Sequence, residues 1–280
     1  MRIRLSALLL ALFLLLPGCA ARKSGGDIAA TTAPVAEFAQ AITEGTGLTV
    51  TRLITDSVSC LHDYSLSVRQ MEAVEESQVV LISGARLEDF MDDVLSHAKT
   101  VVDCSKGIDL LENSEGTDPH IWLDPARAQQ MVDNLTAGLT AVYPEHEAAF
   151  AENATVLKAR LQALDEEGKK ALSDISCREL ITFHDGFGYL ASHFDLTILA
   201  AIEEESGAEA SAASLTEIID LVNTHHLPAV FTEANGSDAA ASVIESETGV
   251  PHFALDLGFG DRDYFSAMEY NFETLKEALT

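Results

Sequence analysis

From residue 145 to about residue 172 the chain has no proline and a single glycine, Gly168. Val156, Leu157, Leu161 and Leu164 recur there at helical spacing, with Glu, Lys and Asp between them. That pattern predicts one helix of roughly 25 residues, far longer than a globular helix needs to be. On both sides of it, short apolar runs alternate with helical spacing. Before it, residues 27–31, 48–54, 79–82 and 100–104 read as strands, and residues 34–45, 67–76 and 87–98 as helices. Asp124-Pro125 opens a further helix, with proline in its first turn, and Gly138 and Pro144 are expected to interrupt the stretch after that opening. After the long helix, strands are expected at 180–183, 196–200, 229–232 and 252–255, with an alanine- and glutamate-rich loop at 203–213. Strand–helix alternation of this kind implies parallel sheets flanked by helices. The fold class is therefore α/β: a lobe at residues 27–144, a connecting helix at 145–173 that acts as one long rigid backbone helix, and a second lobe at 174–280. Each lobe is long enough for its own core. Ligands of such sheets bind in the loops beyond the strands' carboxyl ends.

The first residues bear on the compartment. Arg2 and Arg4 precede an uncharged apolar run from Leu5 to Leu16. A membrane-spanning helix needs about 20 apolar residues, so this run reads as a secretory signal rather than an anchor. It ends in Leu16-Pro17-Gly18-Cys19, which resembles the lipobox of bacterial lipoproteins. The resemblance implies cleavage after residue 18, a diacylglycerol on the sulfur of Cys19, and a short tether over residues 19–26. The expected location is extracytoplasmic, held to a bacterial membrane by lipid.

The formal charge is −28 and becomes more negative once the two arginines of the leader are gone. Phosphate backbones repel such a surface, so nucleic acid is excluded as a partner. Beyond Cys19 the cysteines are Cys60, Cys104 and Cys177, with no C-x-x-C pair. At most one disulfide can form among three, and Cys60–Cys104, both in the first lobe, is the expected pairing.

Nine histidines are present. Three sit beside a carboxylate in loops next to strands or helices: His62-Asp63, Asp118-Pro119-His120 and His184-Asp185. They are about 60 residues apart, so they cannot form a local finger and must converge in three dimensions. Imidazole nitrogen suits zinc, manganese or iron, and an adjacent carboxylate can fix the ring from behind. His97 and His146 read as exposed helix positions. His225-His226 reads as a helix end, where a cation suits the dipole. His193 and His252 lie near ligand segments. Trp122, Phe187 and Tyr189 read as packing.

Segment 118–125, Asp-Pro-His-Ile-Trp-Leu-Asp-Pro, is similar to a signature of the metal-receptor proteins of bacterial zinc and manganese ABC importers. The segments 184–190 (His-Asp-Gly-Phe-Gly-Tyr-Leu), 62–64, 73–75, 83–88 and 247–256 resemble other parts of the same family, over nearly the whole mature chain. The resemblance implies His62, His120, His184 and Asp256 as metal ligands, zinc or manganese as the cargo with zinc preferred, and an importer's membrane permease as partner. It implies a carrier, not an enzyme. Some departures bear on this. The segment before the second ligand, residues 107–117, has no histidine-rich insert, and Leu257 follows Asp256 where the family commonly has proline. Asp261, Asp263 and Glu203 to Glu205 are nearby acidic substitutes.

The donor set also argues independently of the family. Three neutral imidazoles and one carboxylate leave a divalent ion one net positive charge in a compact four-ligand shell, which zinc accepts without strain. Manganese(II) binds any such site more weakly. Two other classes fit three histidines: a zinc hydrolase, which would need an open position and a general base, and a surface adhesin with a structural metal. No H-E-x-x-H signature is present.

Overall fold

The computed structural model describes residues 26–55, 64–113, 116–203 and 211–280. The first lobe is a parallel sheet of β1 (Ile28–Ala30), β2 (Val50–Arg52), β3 (Val79–Ile82) and β4 (Val101–Asp103), in the order β2-β1-β3-β4. Its helices are α1 (Ala33–Thr43), α2 (Val68–Glu76), the short α3 (Asp92–Leu95) and α4 (Pro125–Val142). A small antiparallel pair, β5 (Glu112–Asn113) and β6 (Gly116–Thr117), lies between β4 and α4 in the chain. Helix α5 (Glu147–Ala171) comes next; at 25 residues it is about 37 Å long. The second lobe is a parallel sheet of β7 (Glu179–His184), β8 (Thr197–Glu203), β9 (Val230–Glu233) and β10 (His252–Leu255), ordered β10-β9-β7-β8. It is flanked by α6 (Gly188–His193), α7 (Ala212–His225), α8 (Ala239–Thr248) and α9 (Tyr264–Leu279). The expected two-lobe α/β architecture with a long helix between is what the chain adopts.

The central strands are apolar without alternation because helices cover both of their faces. Residues 28–30 and 79–81 are fully buried. One core runs from Ile28 through Trp122 and α5 to Leu279, and a smaller cluster lies on the outer side of each sheet. Helix α5 packs on α1 and α4 of the first lobe and on α9 of the second. Direct bonds also cross between lobes. The Tyr264 ring stands edge-on to Phe38 at 4.9 Å, its amide donates to Glu37 Oε2 (2.7 Å), and its hydroxyl donates to the Trp122 carbonyl (2.8 Å). Tyr189 Oη accepts from the Leu111 amide and donates to the Asp118 carbonyl.

Several expectations need correction. Gly138 does not interrupt a helix; α4 runs through it. A Cβ there would lie 2.5 Å from both methyl carbons of Val102 on β4, so the glycine lets the helix close onto the sheet. Val156 is 59% exposed, while Leu157, Leu161 and Leu164 are buried, so the inner face of α5 excludes it. Residues 87–98 form a 3₁₀ turn (Asp89–Met91) and then α3, not one helix. The cause lies upstream. After Gly84 the backbone stays at positive φ through Ala85 (50°) and Arg86 (71°). Glu88 locks that loop, its carboxylate accepting from the amides of Ser83 and Gly84 and from the Thr31 hydroxyl. Burial pushes the Glu88 carboxyl up to about 7. Cys104 carries a free, fully buried thiol instead of half a bridge, and burial raises its pKa well above the ordinary range. Its expected partner Cys60 lies outside the described residues, as do the leader and Cys19.

His193, at the end of α6, joins the lobes to α5. Its Nδ1 is 3.0 Å from Asp124 Oδ1 and its Nε2 is 2.5 Å from Asp165 Oδ1 on α5. Asp124 also caps α4 through the Ala126 amide and pairs with Arg127, and Asp165 pairs with Lys169. Hydrogen bonding to Asp124 outweighs the opposing effect of burial and raises the His193 pKa. Burial pushes both aspartates up, but their bonds to His193, Arg127 and Lys169 more than offset it and hold them below the usual range.

Candidate metal centre

The carboxyl edge of the second sheet carries a row of polar side chains. His184 is the last residue of β7, Glu233 the last of β9, and Asp256 directly follows β10. The first lobe supplies His120 from the 118–125 segment, just before a 3₁₀ turn at Ile121–Leu123. Both histidines are buried, at 5% and 7% exposure. Their Nε2 atoms stand 3.4 Å apart and their rings are nearly perpendicular, at 85°.

Each ring has a carboxylate on its other side. Asp118 Oδ1 accepts from the His120 amide (2.9 Å) and lies 2.8 Å from its Nδ1. An acceptor there places the ring proton on Nδ1 and leaves the Nε2 lone pair facing His184. Glu233 Oε1 is 3.8 Å from His184 Nδ1, too far for a hydrogen bond but on the side opposite His120. Two nitrogens of one tetrahedral zinc, each about 2.0–2.1 Å from the metal, must be about 3.3–3.4 Å apart. The observed spacing is that of two donors to one ion.

The glycines of the His184–Gly188 segment explain how the rings come so close. A Cβ on Gly186 would sit 2.5 Å from His184 Cδ2 and 2.9 Å from His120 Cε1, and one on Gly188 would sit 2.7 Å from Asp118 Oδ2. Trp122 packs beside His120, with ring centroids 5.4 Å apart, and its indole N–H donates to the Leu257 carbonyl (2.8 Å). Trp122, Phe187 and Tyr189 are fully buried packing residues, as read from the sequence.

Asp256 lies on the same edge, two strands from His184, and is 2% exposed. Asn271 of α9, itself fully buried, clamps its backbone from both sides: the Asp256 amide donates to Asn271 Oδ1, and Asn271 Nδ2 donates to the Asp256 carbonyl. The Asp256 carboxylate accepts from the Gly258 amide at Oδ1 (2.8 Å) and from Arg262 Nη1 at Oδ2 (3.1 Å). Among the described residues, no group of three or more His, Cys, Asp or Glu side chains is gathered tightly enough to hold a metal. The structure thus brings His120 and His184 together and places Asp256 nearby on other partners. His62 lies outside the described residues, as do Glu204 and Glu205. Of the acidic substitutes, Asp261 is exposed and Asp263 caps α9 through the Ser266 amide.

The remaining histidines stand apart from the pair. His97 is exposed, His225 pairs with Glu179, His252 with Glu245, and His226 caps α7 at positive φ. Sequence reasoning missed Glu233, Asn271 and Arg262. Only Glu233 carried a signal, as a carboxylate closing an apolar strand.

Asp118→Asn preserves size but removes the charge behind His120. It is expected to weaken zinc binding about 10- to 100-fold with little change in melting temperature, since such outer partners tune a ligand's basicity and orientation. Competition against a zinc-chelating dye checks this; an unchanged affinity would show that Asp118 does not tune the site.

The family model described as zinc-uptake complex component A, periplasmic, matches residues 28–278. The zinc-binding lipoprotein AdcA of Streptococcus pneumoniae serotype 4 is 29% identical over 304 residues, covering 98% of this chain but 60% of its own length. The high-affinity zinc uptake system protein ZnuA of Bacillus subtilis is 28% identical over 309 residues, covering 96% of this chain and 95% of its own. The chain therefore spans about three fifths of the streptococcal relative and nearly all of the Bacillus one. The crystal structure of the Zn(II)-bound ZnuA-like domain of Streptococcus pneumoniae AdcA matches with a TM-score of 0.79 at 28% identity, over 91% of this chain and 99% of that one.

Proposed function

We propose, on the premise that the chain belongs to the zinc-uptake complex component A family, that it captures zinc outside the cytoplasm and delivers it to the membrane permease of an ABC importer. The observation that carries this reading is the pair of buried imidazole Nε2 atoms 3.4 Å apart, contributed by different lobes, with Asp118 behind one ring and Glu233 on the far side of the other. His62, His120, His184 and Asp256 form the proposed ligand set, and Cys19 carries the lipid that holds the receptor to the membrane. Three neutral nitrogens and one carboxylate favour zinc; manganese binds the same donors more weakly. A fourth protein ligand closes the shell, which suits holding an ion rather than activating water.

The cross-lobe bonds of Tyr264, Tyr189 and Trp122, together with the long α5, support small motion on loading. Release then proceeds by local rearrangement of the second-lobe ligands. Titration of the chelator-stripped full chain is expected to give one zinc per chain, with manganese displaced by zinc and the fold retained when metal is removed. Absence of stoichiometric zinc binding would overturn the reading.

A further inference from the structure

A carboxylate as buried as that of Asp256 needs a compensating charge, because an unpaired buried charge is strongly destabilising. Its two oxygens are satisfied in different ways. Oδ1 accepts from the Gly258 amide two residues on, a bond set by the local backbone. Oδ2 accepts from the guanidinium of Arg262, at the end of a side chain that is 41% exposed. Arg262 also lies over the ring of Tyr270, with Cζ 3.9 Å from the centroid. The first bond is fixed and the second can be given up, because the guanidinium head already meets water and keeps the Tyr270 face as a resting place.

We infer that Arg262 is a resident counter-cation of Asp256 that the incoming metal displaces and that reclaims the carboxylate when the metal leaves. This rests on the proposed role of Asp256 as the fourth ligand. A divalent ion at Asp256 neutralises the same carboxylate and repels the guanidinium, so the two cations compete for one oxygen. Each exchange leaves the buried carboxylate paired, so metal departure does not strand an uncompensated charge. Arg262 therefore lowers affinity and speeds release. A side chain that merely supported the Asp256 rotamer would do the reverse, so the sign of the effect separates the two roles.

The test uses the full chain with Zn2+ as the probe. Equilibrium affinity is measured by competition with a chromophoric chelator and zinc dissociation by stopped flow into excess chelator. The variants are Arg262→Gln, which keeps length and packing, Arg262→Ala, Asp256→Ala and the double variant Asp256→Ala/Arg262→Ala. The two single Arg262 variants are expected to bind zinc about two- to fivefold more tightly than the parent, the scale of a partly exposed ion pair, with slower dissociation. In the Asp256→Ala background the Arg262 effect should vanish. If Asp256→Ala weakens binding while both Arg262 variants leave it unchanged or weaken it, the counter-cation role is overturned and Asp256 stays a ligand. If Asp256→Ala leaves zinc affinity unchanged, the ligand assignment itself falls and the inference with it. Metal-free melting curves identify any variant that misfolds; Arg262→Gln then decides the question in place of Arg262→Ala.

Discussion

His184→Ala is expected to reduce zinc affinity by more than about a hundredfold, the upper figure for losing a mere outer partner of a metal ligand. Among the described residues no third imidazole stands beside the pair to replace the lost nitrogen. His184 holds the end of β7, and the space beside it is closed by Gly186, where even a methyl group would collide with both imidazoles. His120→Ala should weaken zinc to a similar degree, and because it also takes a bond from the buried Asp118 carboxylate, its metal-free melting temperature should fall below that of the parent. Chelator competition with melting curves on both variants checks this pair of results. An affinity unchanged from the parent in either variant would sink the assignment of that histidine.

The second large effect should come from a residue that binds no metal. His193→Ala is expected to cost about 2–4 kcal/mol of folding stability, since it removes two charge-assisted bonds from buried carboxylates at the junction of α4, α5 and α6. Arg127 and Lys169 still partner those carboxylates, which keeps the loss below that of leaving them bare. The loss should depend on pH in a defined direction. The His193 pKa is raised above 6.5, so its contribution is full below that value and fades as pH rises through the folded-state value. The Asp124 and Asp165 pKa values lie below 3.8, so their contributions are full above that value and fade as pH falls through their folded-state values. The parent and His193→Ala should therefore differ most in the mildly acidic range between these limits and converge in alkali. Urea unfolding at pH 6 and pH 9 checks this; an equal difference at both would show that the His193 charge plays no part.

Much of the fold was legible because buried parallel strands leave a plain mark: residues 79–82 and 252–255 are strands over the bounds that their apolar runs predict. The long helix was legible for the same reason, from the spacing of Leu157, Leu161 and Leu164. What could not be read was decided by tertiary contact. Glycine marks helix ends and tight packing alike, and only the position of Val102 shows which role Gly138 plays. The break in residues 87–98 depends on where the Glu88 carboxylate is used, which no local pattern records. The site divides in the same way. His120 and His184 stood out by their neighbouring acids, whereas Glu233 matters through His184, 49 residues earlier, and Arg262 through a turn after β10 that folds its guanidinium back onto Asp256.

Tyr264 bonds to Glu37, 227 residues earlier, and α9 completes the core that β1 begins. Such long-range closure carries a kinetic cost, because chain entropy must be lost before these contacts can reward it. The larger core of the first lobe is closed only by the last helix, while the smaller cluster of Ala29, Leu53, Val74 and Val80 needs no later segment. Losing Tyr264 and the first turn of α9 would uncover Phe38 and take the donor from the Trp122 carbonyl, both far back in the sequence. The two lobes are thus separate in shape but not in assembly.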